Sequence, residues 1–274
     1  MKLWKRLSYA YSVLIFLFLY APIVVMIVYS FNAEKSRAKW GGFTLKWYRE
    51  LFSNSDIMEA LITTLTIALL SSIIALIIGT AAAVGIANLR KGPRKWLMNI
   101  TYLPMLNADI VTGVSLLLIF SLMGIELGYV SLLLAHVTFN IPYVILSIMP
   151  KLRQLDPHLY EAAQDLGAPP VLAFFKVVLP EISPGIVTGF LLAFTMSIDD
   201  FVISFFTTGS GVSTLAIEIY SMARRGIKPE INALSAIMFL VVLSLLLVIN
   251  LRGGKDKKGA ENRPVSVRAR SSAR

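Results

Sequence analysis

Three acidic residues sit where acids are costly. Asp109, Asp199 and Asp200 lie inside long apolar stretches of the chain, and an ionisable side chain at membrane depth marks a path, a relay or a paired partner. No Lys or Arg falls within those stretches, so an ion pair within this chain is not expected, although a partner chain could supply one. Unpaired carboxylates repel an anion and serve a sugar poorly, since a sugar needs mostly neutral hydrogen-bond groups. They suit a cationic amine. Thr195 lies four residues before Asp199 and Ser204 four after Asp200, spacings that on a helix place each hydroxyl on the face of its carboxylate, while Asn107 and Thr112 flank Asp109. Phe201, Phe205, Tyr102 and Phe120 offer aromatic faces to a cation. Successive residues of a helix point about 100° apart, so Asp199 and Asp200 cannot both face one pore. The plainer reading is that this pair caps or breaks its helix.

Other chemistries find less support. The chain has no Cys, which excludes disulfides, thiolate metal sites and a Cys nucleophile. Asp199 and Asp200 share one segment rather than facing each other across two, and no Ser with a nearby base is evident, so a membrane enzyme is not expected. No metal site is expected either. His136 reads as a hydrogen-bonded packing residue and His158 as a solvated one. A phosphate-binding G-x-x-x-x-G-K-[ST] loop is absent, so the chain should not bind ATP alone. A proton-coupled secondary transporter is a competing class that uses the same buried acids.

The elements that must position these acids are apolar helices. The chain has 274 residues, 56% hydrophobic and 15% charged, with a mean hydropathy of +0.71; soluble domains carry about 25% charged residues. A spanning helix needs about 20 apolar residues, and six stretches qualify: 9–31, 61–89, 97–123, 129–149, 185–206 and 231–251. Asp109 falls about 18 Å along the third and the Asp199–Asp200 pair about 22 Å along the fifth. The fold class is therefore all-α integral membrane, with one transmembrane domain over 1–252 and a basic, disordered tail over 253–274. The first stretch follows Lys2, Lys5 and Arg6 but is too long for a signal core and lacks a good cleavage site. It reads as an uncleaved helix.

Net charge is +10, which alone would admit nucleic acid as a partner. Its placement argues against that. With a cytoplasmic N-terminus, 18 of the 26 Lys and Arg lie on the inside and 8 on the outside, which favours both termini in the cytoplasm. The short turn carrying Arg90, Lys91, Arg94 and Lys95 is the clearest single indicator.

Between the fourth and fifth stretches, residues 150–183 are too polar to span. Asp156 and Pro157 read as an N-cap and first helical position. Glu161, Ala162, Ala163 and Leu166 continue that helix and Gly167 ends it. Pro169 and Pro170 restart the chain, and a second short helix over 171–179 is expected to close at Pro180. Asp156, Glu161 and Asp165 make the first helix acidic, whereas helices lying on a membrane surface usually carry Lys and Arg. A docking knob fits better.

The spacing Glu161-Ala162-Ala163, three residues, Gly167, nine residues, Val177-Val178-Leu179-Pro180 resembles the E-A-A-x-x-x-G-x9-I-x-L-P loop of the membrane subunits of bacterial ABC importers, with Val177 for Ile. The resemblance implies a type I importer transmembrane domain of six helices. It also implies that Glu161, Ala162, Ala163, Asp165, Gly167, Leu179 and Pro180 couple to an ATPase. Further stretches resemble the spermidine/putrescine permeases, more the second permease of that system than the first: Trp40, Gly42 to Thr44, Trp47 and Tyr48; Asp109 and Ile110; 134–139; 197–204; and Ile219 to Met222 with Pro229 to Ala233. It implies a multi-pass, non-catalytic permease of the bacterial plasma (inner) membrane, set in lipid. Its partners would be a second permease, two ATPase subunits that bind ATP and Mg, and an extracytoplasmic binding protein. Asp109, Asp199 and Asp200 would then line a polyamine path with Glu218 or Glu230 at its outer mouth; another cationic or small organic solute is the alternative cargo.

Overall fold

The computed structural model describes residues 2–35, 39–225, 229–240 and 243. Every element among them is helical save one isolated bridge between Asn32 and Phe43. The described residues fall into two compact units, those up to Ser53 together with those from Pro229 onward, and those of 54–225.

In the first unit, α1 (Lys2–Ser30) is followed by a short collar and α2 (Lys46–Ser53). Asn32 organises the collar: its amide donates to Lys39 O at 2.8 Å and its Oδ1 accepts from Gly41 N at 2.7 Å. The buried Trp47 indole donates to Asn32 O at 2.6 Å. Gly42 turns the chain there with φ +105°, a conformation that glycine adopts without strain. A further apolar helix, Pro229–Leu240 (α12), also belongs to this unit.

The second unit is built on three long helices: α3 (Ser55–Ala87), α6 (Tyr129–Gln154) and α9 (Leu179–Asp199). Lipid offers no hydrophobic drive between helices, so close packing through small residues has to hold them. Gly79 of α3 lies so near Val144 of α6 that a Cβ there would come within 2.7 Å of it, and Gly185 and Gly189 of α9 back onto Ser147 in the same way. Ala75, Ala83, Val144, Ile148, Ile182 and Ala193 fill the seam. The remaining elements of the unit are α4 (Lys91–Leu106), α5 (Asp109–Leu122), α7 (Pro157–Asp165), α8 (Pro170–Ala173), α10 (Val202–Thr207) and α11 (Leu215–Arg225).

Among the described residues four helices are long and apolar enough to cross a membrane: Leu7–Ser30, Ser55–Ala87, Tyr129–Gln154 and Pro170–Asp199. The pair α4 and α5 makes a fifth if it is one span, but it bends by 103°. Of the sixth stretch, 231–251, only residues 231–240 and 243 are among the described residues, and the tail, 253–274, lies wholly outside them.

Three expectations change. The third stretch is not one helix: Pro104 lacks the donor that would continue the ladder of α4, and Asn107 and Ala108 are extended. Asp109 therefore stands at the first position of α5 instead of a dozen residues into a span. The fifth stretch breaks between Asp199 and Val202. The helix expected to close at Pro180 runs on through it, because a π turn at Phe174–Val178 precedes the proline. Leu179 N donates to Phe174 O, five residues back, and this wider turn leads into a ring that would crowd an ordinary one.

Candidate translocation site and docking loop

Helix α9 ends at Asp199, and Asp200 is extended with ψ 122°. Its carboxylate then turns forward onto α10, accepting from Ile203 N at 3.2 Å, Ser204 N at 2.7 Å and Ser204 Oγ at 2.9 Å. A short anionic side chain ahead of a helix satisfies amides that have no carbonyl partner and meets the positive end of the helix. His136 of α6 approaches the same carboxylate, with Nε2 3.6 Å from Asp200 Oδ2; the side chains are 1% and 7% exposed. The ring is held on both sides, by Ser204 Oγ at 3.0 Å from Nε2 and by Ser197 Oγ at Nδ1.

The network continues inward. Ser197 lies 3.3 Å from Ser71 Oγ, which accepts from Asn140 Nδ2 at 3.2 Å. Asn140 Oδ1 is buried without a hydrogen-bond partner among the described residues. A polar string thus runs through the apolar unit from Asp200 through Ser204, His136, Ser197 and Ser71 to Asn140. In low dielectric such a string is strong when satisfied and expensive when broken.

Asp199 is different: its side chain is exposed on the last turn of α9. Phe201 follows two residues later, with its ring 4.5 Å from Tyr220 and 5.5 Å from Phe205 by centroids. Of the other aromatics weighed from sequence, Phe120 is buried in a cluster with Leu116, Ala135, Phe139 and Ile203, and Tyr102 lies in a cavity with the basic start of α4. Thr195 Oγ donates to Leu191 O at 2.8 Å and so serves its own helix. Asp109 is exposed at the start of α5, and α5 packs on α10, where a Cβ on Gly113 would meet the Phe206 ring at 2.8 Å. The two acid-bearing segments therefore adjoin.

Glu218, half-buried on α11, shares a cavity of about 350 Å³ with Asp56, Glu59, Thr63, Tyr129 and Ser213. Asp56 and Glu59 escaped the sequence reading, since nothing in their spacing signals that α3, α6 and α11 meet there. The buried Ser71, Asn140 and Ser197 escaped it too, although polar residues inside apolar stretches were a signal to follow. Glu230 lies half-buried on α12 in the first unit. Among the described residues no cluster of His and acids is arranged to hold a metal ion.

At the opposite end of α6 and α9, the loop folds as its residues dictate. Asp156 accepts from His158 N at 3.0 Å and starts α7. Gly167, at φ +89°, ends it: Gly167 N donates to Gln164 O at 2.8 Å and Ala168 N to Ala163 O at 3.1 Å, the paired bonds of a glycine-closed helix. Tyr160 and Phe174 anchor the loop on the core cluster around Met149 and Val178. Its outer face carries Glu161, Ala162 and Asp165 with Leu159, Leu166, Val171 and Phe175 exposed, Leu166 at 90%. Contiguous exposed apolar side chains rimmed by polar ones mark an interaction surface. Glu161 also pairs with His158 at 3.4 Å, both well exposed. Leu179 and Pro180 stand just beyond the π turn, at the start of α9.

Residues 75–252 match the family described as "Binding-protein-dependent transport system inner membrane component". The chain is 40% identical over 240 residues to the spermidine/putrescine transport system permease protein PotC of Haemophilus influenzae, covering 88% of this chain and 93% of that protein. It is 42% identical over 231 residues to the putrescine transport system permease protein PotI of Escherichia coli K12, covering 81% and 82%. Among solved structures, a bacterial ABC transporter involved in import of the acidic polysaccharide alginate superposes with a TM-score of 0.71 over 92% of this chain and 96% of that one, at 12% identity. That likeness concerns the fold. Family match, identity and helical architecture agree: the chain belongs to the inner membrane components of binding-protein-dependent transport systems, as a non-catalytic permease.

Proposed function

We propose that this permease forms, with a second permease, the path by which polyamines enter the cytoplasm, handed on by an extracytoplasmic binding protein. The observation that carries the reading is Asp199, an exposed carboxylate at a break in an apolar span, two residues before Phe201, whose ring packs on Tyr220. A carboxylate with aromatic faces suits an alkyl ammonium, whose charge meets the acid and whose chain and charge both meet the rings. The 40% identity to PotC over most of both chains supports the same cargo. Asp109 supplies the second acid on the adjoining element. Glu218, with Asp56 and Glu59, lines an entry vestibule, and Glu230 is a further outer acid.

Both termini face the cytoplasm on this reading, since the basic turn and the knob then lie together inside. The knob docks on one of two ATPase subunits, which bind ATP and Mg; Glu161, Ala162, Ala163, Asp165 and Gly167 form the contact, while Leu179 and Pro180 pass its movement to α9. Alternating access then follows from ATP at one end and cargo at the other biasing the same two states. Asp200 acts here as a structural group, because its oxygens are already occupied by α10.

Uptake by the reconstituted complex tests the reading. Labelled spermidine and putrescine should accumulate with ATP, and Asp199→Asn should cut the rate at least about tenfold, roughly the loss of one charge-assisted contact, with the complex still assembled. Transport of an anion or a sugar with no polyamine transport would overturn the assignment.

A further inference from the structure

We propose that the groove between α4 and the last turns of α6 binds the head group of an anionic phospholipid. Two cavities, of about 370 Å³ and 250 Å³, adjoin there and share Met98, Tyr102 and Arg153. Lys91, Arg94, Lys95, Met98 and Tyr102 recur along α4 at three- and four-residue intervals, so one face of the helix carries them all. Arg153, on the last turn of α6, completes the wall.

Among the described residues the cations have no counter-charge. No carboxylate lines either cavity, and among the described residues no ion pair involves Lys91, Arg94, Lys95 or Arg153. Like charges gathered on one wall repel. Arg94 is nonetheless half-buried, with Nη2 3.9 Å from Met149 Sδ. Such a cluster calls for an anion from outside the chain.

The other wall says which anion. Leu146, Met149 and Pro150 of α6 line the neighbouring cavity beside Met98 and Tyr102, so the groove is cationic at one side and apolar at the other. Free phosphate would leave the apolar wall uncovered. A phosphodiester carrying a glycerol and acyl chains covers both. Trp96, 66% exposed on the same end of α4, is the kind of residue that sits at head-group level. Basic pockets between spanning helices on the cytoplasmic side are where acidic head groups are held, and each cation near an anionic leaflet strengthens attraction about fivefold. The leaflet follows from the orientation given above.

The test uses the purified complex, stripped of lipid in detergent and titrated with phosphatidylglycerol or phosphatidylcholine of the same chain length, bound lipid being counted by native mass spectrometry. The parent should retain phosphatidylglycerol at least about tenfold more strongly. The triple variant Arg94→Gln/Lys95→Gln/Arg153→Gln should lose that preference. Should the triple variant fail to assemble, Lys95→Gln, an exposed single change, must still weaken retention severalfold. Equal retention of both lipids by the parent, an undiminished preference in the variants, or displacement of the lipid by inorganic phosphate alone would overturn the proposal. So would loss of the ATPase subunit from the variant with lipid retention intact, which would assign the groove to a protein contact. No cargo is present, so the result stands apart from the polyamine reading.

Discussion

Asp156 and Asp200 do the same local job in opposite surroundings. Each is an extended residue whose carboxylate accepts amides at the start of a short helix, α7 and α10 respectively. Asp156 is exposed and takes one backbone donor. Asp200 is enclosed and takes two amides and a hydroxyl, with His136 alongside. Water can replace what Asp156 gives its helix. Nothing apolar can replace what Asp200 gives, so an interaction of modest worth at the surface becomes a structural requirement within the bundle. The cap at the knob governs a local shape, whereas the buried cap governs the bundle.

The largest expected effect is for Asp200→Leu. It removes one partner of a buried network and should cost roughly 3–5 kcal/mol, seen as a large fall in melting temperature or loss of folded complex. A loss no greater than that of Asp156→Ala would break the comparison. Next comes His136→Leu, which leaves the Ser197 and Ser204 hydroxyls and the Asp200 carboxylate short of a partner and should cost about 1–3 kcal/mol. His136→Gln, which keeps a donor and an acceptor, should recover part of that melting temperature. Gly167→Ala places a Cβ at φ +89° and should cost about 1–2 kcal/mol of local stability. Its signature is faster hydrogen exchange in α7 with the bundle's melting temperature unchanged, and reduced ATP-driven uptake. The smallest effect belongs to Asp156→Ala, about 1 kcal/mol confined to α7, measured by the same exchange experiment. If that change lowers the melting temperature of the whole bundle, the knob is not the separable module described here.

What the sequence disclosed follows the range of the interactions involved. The first helix of the knob was legible because Asp156, Pro157 and Gly167 act within one helix turn of themselves, and α7 starts after Asp156 and is closed at Gly167 as that reading has it. The apolar stretches were legible because burial in lipid needs only composition and length. The break at Asp200 was foreseen only as the plainer of two readings. Choosing between them needed His136, 64 residues earlier in the chain, to be seen beside it. The bend between α4 and α5 had its signals in Pro104 and Asn107, but apolar continuity from 97 to 123 outweighed them. The π turn left no trace a residue count could reveal. It offsets an approaching proline by geometry, and no residue type prescribes it.

That π turn sets the compass bearing of the knob. A turn of this kind holds one residue more than an ordinary one, and each residue swings the chain by about 100° around the helix axis. Everything ahead of Phe174, including the exposed Leu166 and the Glu161–Asp165 face, therefore points where it does relative to α9 because of a single amino acid. Deleting one residue between Phe174 and Val178 would leave the composition of both helices nearly untouched and aim the knob at a different quarter of the compass.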